Sequence, residues 1–139
     1  MEFFKFKNIL ITGGAGFIGS TLIRKLLNET NSNIYNLDKL TYLSNLKSIN
    51  DLIKNSPNIK RSRYNFLKFD LLNPQQVEEA IFLCKPDLIM HLAAESHVDR
   101  SIENSKPFLE SNIIGTFNIL ESTRKHLENI NLSRRERFK

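Results

Sequence analysis

Residues 91–102 read HLAAESHVDRSI, so His91, Glu95, Ser96, His97, Asp99 and Arg100 crowd behind the apolar run Leu88-Ile89-Met90. The carboxyl end of a buried strand is where an open α/β sheet presents its ligands, and polar side chains there can reach a bound molecule. An earlier stretch points the same way: residues 12–20 read TGGAGFIGS. Gly14, Gly16 and Gly19 fit G-x-G-x-x-G, while Gly13, Gly16 and Gly19 fit G-x-x-G-x-x-G. Between a strand and a helix, either spacing suits a dinucleotide pyrophosphate. Gly13 permits the tight turn, Gly16 lets the phosphates approach the backbone, and Gly19 lets the helix pack closely on the sheet. The helix start then offers unpaired N–H groups and the positive end of its dipole.

Asp38 follows at the interval the motif requires, about 20 residues on, at the end of a second strand. A carboxylate there accepts from a ribose diol and repels a 2′-phosphate, which favours NAD over NADP. Lys39 tempers that preference, because a neighbouring cation offsets part of the repulsion. Asp70 and Leu71 end a third strand, where the acid can accept from an adenine amino group while the leucine covers the ring. Asp before a helix also serves as an N-cap, and the two roles are compatible. Ala93 and Ala94 are small enough for a cofactor to lie against the backbone. Glu95, Ser96 and His97 then point polar groups into the crevice.

The elements that must position these residues alternate. Short apolar, β-rich runs at 6–12, 33–38, 65–70 and 87–92 alternate with helical patterns at 17–27, 46–54, 74–84 and 108–127. Pro57 lies just past the second helix, and Pro74 suits the first turn of the third. Gly115 is a candidate break in the last helix. Such β-α alternation predicts parallel strands with helices on both faces. The expected fold is a Rossmann-like doubly wound parallel α/β sheet, truncated after about four strands, in one domain over 1–139. The tail from Asn129 is polar and is expected to fray.

With 40% apolar and 25% charged residues, the composition is that of an ordinary globular domain. No apolar run is long enough to cross a membrane. The start, MEFFKFKNILITGG, runs into a glycine turn and reads as a strand, not a leader. Cys84 is the sole cysteine, which excludes a disulfide framework or a zinc cluster; it reads as a buried, inert thiol. A cytoplasmic location is expected. The net charge of +5 comes partly from Lys60, Arg61 and Arg63 and from Arg134, Arg135, Arg137 and Lys139. No stacking platform accompanies them, so they read as solvated surface and not as a nucleic-acid face.

TGGAGFIGS, DKLTY at 38–42, HLAAESHVDRSI and ESNIIGTFNILE at 110–121 together resemble the extended short-chain dehydrogenase/reductase family. Within it they resemble the dTDP-glucose 4,6-dehydratases. The glycine motif is general to the family, whereas DKLTY and AAESHVDRSI are particular to that branch, and epimerases and decarboxylases usually depart from both. The resemblance runs from Lys7 to about Lys139. It implies that Phe17 and Ile18 give N–H groups to a pyrophosphate and that Asp38, Lys39, Leu40 and Thr41 surround the adenosine ribose. Asp70 and Leu71 would hold adenine. Leu92, Ala93, Ala94, Glu95 and Ser96 would line NAD, with Ser96 also bordering the sugar nucleotide. Ser111 would keep the hydroxyl that the branch usually carries as threonine. Leu43-Ser44 departs from the usual Ala-Gly pair, so that loop is expected to differ locally. The implied partner is dTDP-glucose, and the implied complete enzyme is a homodimer; no metal, nucleic acid or membrane is implied.

The same resemblance implies an acid–base pair, Tyr-x-x-x-Lys, and a Thr-Asp-Glu triplet after a fifth strand. The sequence stops at SRRERFK, about where that strand begins. Tyr35 and Lys39, and Tyr64 and Lys68, match the bare spacing but fall on strands, whereas a working pair needs one helix face. The chain is therefore expected to be the amino-terminal, NAD-binding part of a dehydratase and inactive alone. A non-catalytic nucleotide-binding module, a part of another nucleotide-sugar epimerase or dehydratase, and a half completed by a separate chain are the alternatives. An apolar edge on the fourth strand would leave the isolated polypeptide marginally stable or self-associating.

Overall fold

The computed structural model describes residues 5–42, 44–136 and 138–139. Glu2, Leu43 and Arg137, which entered the sequence reading, lie outside them. Four parallel strands form one sheet: β1 (Asn8–Thr12), β2 (Asn33–Leu37), β3 (Tyr64–Leu67) and β4 (Leu88–His91), in the order β3-β2-β1-β4. The chain steps outward from β1 to β2 to β3, then crosses to the other side of β1. The order therefore reverses between β1 and β4, the place where such sheets bind ligands.

β1 is covered on both faces, which is why NILIT reads as a continuous apolar run. Ile9 and Ile11 pack with Ile23, Leu26 and Leu27 of α1 (Phe17–Glu29) and Ile49 of α2 (Lys47–Asn55). Leu10, one residue out of phase, joins the opposite layer. That layer holds Val77, Ala80 and Ile81 of α3 (Pro74–Cys84), with Ile119 from the last long helix. Alternation along a single strand thus builds both halves of the core. The expected doubly wound fold is present, and no described helix is long and apolar enough to cross a membrane.

Local chemistry sets the ends of α3. Asn73 Oδ1 accepts from the N–H groups of Gln75 (3.1 Å) and Gln76 (3.2 Å), and Pro74 follows at the first helical position. Asp70 is therefore not the helix cap. Its Oδ1 accepts instead from the Leu72 N–H at 3.0 Å, turning the chain two residues earlier. Cys84 is buried at the other end, and desolvation pushes its thiol far above the ordinary range.

After β4 come α4 (Val98–Glu103), α5 (Lys106–Leu109), a π-helical turn (Glu110–Ile114) and α6 (Gly115–Glu128). The expected break in the last helix is this widened turn, which runs directly into Gly115. A Cβ on Gly115 would come within 3.2 Å of the Leu71 side chain, so the helix lies close over β3's exit.

Where fraying was expected, the described tail residues fold back on the sheet. A short α7 (Leu132–Arg135) is capped by Asn131, and the last residue lies on the outer edge of β4. Ile89 N–H donates to Lys139 O (2.9 Å) and Lys139 N–H donates to Asp87 O (3.0 Å), the pattern of a parallel neighbour. Arg134 donates to Lys85 O (2.6 Å). The basic clusters are not simple solvated surface either. Arg63 reaches the carbonyls of Leu27, Thr30 and Ser32, and Arg61 stacks over Tyr64.

Asn73→Ala removes the cap of α3 and is expected to lower unfolding stability by about 1 kcal/mol, with Asn73→Asp nearly neutral, in urea melts.

Candidate functional site

Gly13 leaves β1 with φ +68°, a left-handed conformation that a side chain rarely takes. A Cβ there would also lie 2.6 Å from Ala93 Cα and 2.7 Å from Ala93 N. Backbone therefore meets backbone where β1 and β4 end. Gly14 is also crowded, by the side chains of Asn36 and Ile23, so both overlapping glycine spacings carry weight. A Cβ on Gly19 would strike the carbonyl of Gly13, which shows how tightly α1 seats on the turn. Gly16 differs: only the Gly13 carbonyl, at 3.3 Å, lies near its missing side chain. Space for a close-approaching group is open there. Gly16 is the N-cap of α1 without a capping side chain, and Phe17 and Ile18 are exposed. The first-turn amides of α1 are left for another acceptor.

The loop after β2 is tied to this turn through Ala15. Its N–H donates to Asp38 Oδ2 (3.0 Å), and its carbonyl accepts from Asn45 N–H (2.8 Å). Asp38 Oδ1 accepts from Leu40 N–H (2.8 Å) and Ser44 Oγ (3.2 Å). A carboxylate offers about four acceptor positions, so one remains after these three bonds. Nothing in the sequence signalled this second, structural role of Asp38. Leu40 takes φ +59°, a non-glycine in the left-handed region, held by its bond to Asp38. Thr41 N–H donates to Ser44 Oγ (3.1 Å). Lys39 Nζ stands 3.8 Å from Asp70, which links the exits of β2 and β3. Leu71 is buried beneath α6, and Asn118 Nδ2 donates to its carbonyl at 2.7 Å.

Residues 92–96 are pinned from two sides. Thr12 Oγ1 accepts from Leu92 N–H (3.2 Å) and Ala93 N–H (3.3 Å). Asn112, in the π turn, accepts from Glu95 N–H (2.8 Å) and donates to Glu95 O (2.9 Å). Ala94 and Ser96 stay exposed between and beyond these anchors, while Ser111 sits half-buried in the same π turn. His91 bridges Thr12 (Nδ1, 2.6 Å) and Thr116 (Nε2, 3.0 Å), and burial lowers its pKa. Further along, Arg100 lies 4.4 Å over the ring of Tyr42. This contact joins α4 to the loop after β2 across the exit of β1.

Neither tyrosine–lysine spacing forms a helix-face pair. Tyr35 lies on β2, and Tyr64 is buried on β3 with its hydroxyl bonded to Asn36 at 3.0 Å. A hollow of about 390 Å³ adjoins Ala15, Gly16 and Phe17. A larger one, about 460 Å³, lies among Thr30, Asn55 and Arg63 at the amino ends of β2 and β3, away from the converging loops. Proximity to the glycine turn, not size, decides between them. Among the described residues, no cluster of acidic, histidine or cysteine side chains could hold a metal.

The family model described as GDP-mannose 4,6 dehydratase matches residues 10–138. The chain is 43% identical over 133 residues to the dTDP-glucose 4,6-dehydratase of Neisseria gonorrhoeae, covering 96% of this chain and 37% of that protein. With the Salmonella typhimurium dTDP-glucose 4,6-dehydratase it shares 42% over 131 residues, 94% of this chain and 35% of that one. The chain thus spans little more than a third of these relatives. Among solved structures, DesIV, the Streptomyces venezuelae dTDP-glucose 4,6-dehydratase with NAD and TYD bound, superposes with TM-score 0.73. The identity is 33%, over 85% of this chain and 36% of that one. The Campylobacter jejuni UDP-Glc/GlcNAc 4-epimerase gives TM-score 0.75 at 32% identity, over 86% and 34%.

Two consequences can be measured. In Asp38→Asn the amide cannot accept on both sides, so the N–H of either Ala15 or Leu40 faces a donor. Urea unfolding should show a loss of about 1–3 kcal/mol, and an unchanged midpoint would deny Asp38 its anchoring role. Burial lowers the pKa of His91 and also that of His126. The unfolded chain therefore binds more protons in mild acid. Stability should be fully present above about pH 6.5 and fall as pH drops below it, with His91→Gln flattening part of that slope in melts across the range.

Proposed function

The chain belongs to the GDP-mannose 4,6 dehydratase family, and on that premise we propose that it is the NAD-binding part of a dTDP-glucose 4,6-dehydratase. The observation that carries the reading is the convergence of three strand exits on one uncapped helix start. The glycine turn, the Asp38–Thr41 loop and residues 92–96 meet where the strand order reverses. The open space over Gly16 and the free amides of Phe17 and Ile18 fit a pyrophosphate. The remaining acceptor position on Asp38 fits a ribose hydroxyl, and the buried carboxylate opposes a 2′-phosphate. Asp70, with Leu71 behind it, fits the adenine end. Ala93, Ala94 and Ser96 fit the run toward the nicotinamide, and Ser111 flanks it from the π turn.

NAD, when bound, supplies reversible hydride transfer at the sugar. This chain's residues bind and orient it and exclude water. The proposed reaction of the complete enzyme converts dTDP-glucose to dTDP-4-keto-6-deoxy-glucose and water. No tyrosine–lysine pair in this chain shares a helix face, so binding without turnover is proposed for the chain alone. DKLTY and AAESHVDRSI favour the dehydratase over the epimerase reading. A homodimer is proposed for the complete enzyme; its support is the apolar stripe Leu109, Ile113, Phe117 and Leu120, each more than half exposed along α5–α6. A cytoplasmic setting is proposed from the lone, buried thiol.

Calorimetric titration should find one NAD site and at least about tenfold weaker NADP, with no 4-keto sugar formed from dTDP-glucose. Equal affinity for the two dinucleotides, or turnover by the chain alone, would contradict the reading.

A further inference from the structure

His91 stands at the centre of a hydrogen-bond chain whose proton directions are fixed. Thr116 Oγ1 lies 2.7 Å from the Asn112 carbonyl, which can only accept, so the single Thr116 proton is committed there. The Thr116 oxygen must therefore receive a proton from His91 Nε2, 3.0 Å away. A neutral imidazole with Nε2–H has a bare Nδ1, which accepts from the Thr12 hydroxyl at 2.6 Å. The two lone pairs of Thr12 then face the N–H groups of Leu92 and Ala93. The Leu92 N–H is shared with the Thr12 main-chain carbonyl, also at 3.2 Å, whereas the Ala93 N–H turns to Thr12 Oγ1 at 3.3 Å. Thr12 has no exposed surface, so water does not reach its end of the chain. The groups facing the ring are Thr12 from β1 and Thr116 from α6, both uncharged.

We propose that His91, as the neutral Nε2–H tautomer, is a positioning residue that orients Thr12 and so fixes the backbone of residues 92–95 for the dinucleotide. The proposal rests on the NAD-binding reading. Both ring nitrogens are taken up by Thr12 and Thr116, so the ring acts through these neighbours. On one side it directs the Thr12 oxygen at Leu92 and Ala93. On the other it ties to the π turn, where Asn112 grips the Glu95 peptide. An imidazolium, or the Nδ1–H tautomer, would present a donor to Thr12. The Thr12 proton would then lose its acceptor, and its oxygen would face three donors.

The test uses two variants that each keep half of the ring's chemistry. In His91→Asn the amide oxygen occupies the place of Nδ1 and can still accept from Thr12. In His91→Gln the amide nitrogen occupies the place of Nε2 and can still donate to Thr116, while the Thr12 proton is orphaned. NAD affinity should stay within about threefold in His91→Asn and fall about tenfold in His91→Gln. Equal loss in both variants, or loss in neither, overturns the proposal, because a packing role does not distinguish the two ends of the ring.

Nitrogen chemical shifts of His91 in the unaltered chain at pH 7.5 give a second readout that needs no ligand. Protonated Nε2 with bare Nδ1 supports the proposal, and any other form overturns it. If the unaltered chain binds no NAD, the NAD-binding reading fails by itself. His91 is then judged by amide exchange at Ala93, expected about tenfold faster in His91→Gln and unchanged in His91→Asn. The same rate in both variants overturns the proposal.

Discussion

The site depends on the contact between Gly13 and the backbone of Ala93. These two chains approach so closely that any Cβ on Gly13 would lie within 3 Å of three backbone atoms of Leu92 and Ala93. Adjacent parallel strands fix the distance between β1 and β4, and the turn after β1 must then double back toward α1 in a left-handed conformation. Only glycine meets both demands. Because the turn is this tight, α1 begins directly above the sheet, with its unpaired amides over the point where strand order reverses. A looser turn would separate the helix start from the β4 exit and dismantle the crevice.

Around that contact, short polar bonds lock each neighbouring loop. Ala15 is held on both sides of its peptide by the loop after β2, and that loop is in turn folded around Asp38. Residues 92–95 are held by Thr12 at one end and Asn112 at the other. These anchors are internal to the protein, so the cradle is formed before any ligand arrives. Preorganisation of this kind lowers the ordering cost of binding. The π turn fits the same logic: a widened turn rotates Asn112 toward Glu95 and lets Gly115 drop against Leu71. Such turns are often found at functional sites.

Most of the architecture was legible because it rests on periodicity and punctuation. NILIT and NIYNL announced buried strands, and Pro74 and the glycines marked the starts of helices. Element ends were less legible: β3 is shorter than 65–70, because Phe69 and Asp70 already belong to the turn that Gln76 and Asp70 stabilise. The α3 cap was not legible because Asp70 and Asn73 are both good capping residues, and only the backbone path separates them. The tail was misread because its charges looked solvated, whereas Arg134 and the main chain of Lys139 bind the start of β4. The left-handed Leu40 and the His91 chain left no sequence signal, since both arise from contacts between distant segments. Asp38 was found for its motif position, but its three internal bonds were not.

The most direct test of the central claim is an amide nitrogen–proton correlation spectrum of the chain titrated with NAD. Shifts concentrated at 13–19, 38–41 and 92–96, saturating together with one affinity, are the predicted result. Shifts elsewhere, such as around Thr30, Asn55 and Arg63, or no saturable shifts at all, would contradict the assignment of the converging strand exits as the dinucleotide site.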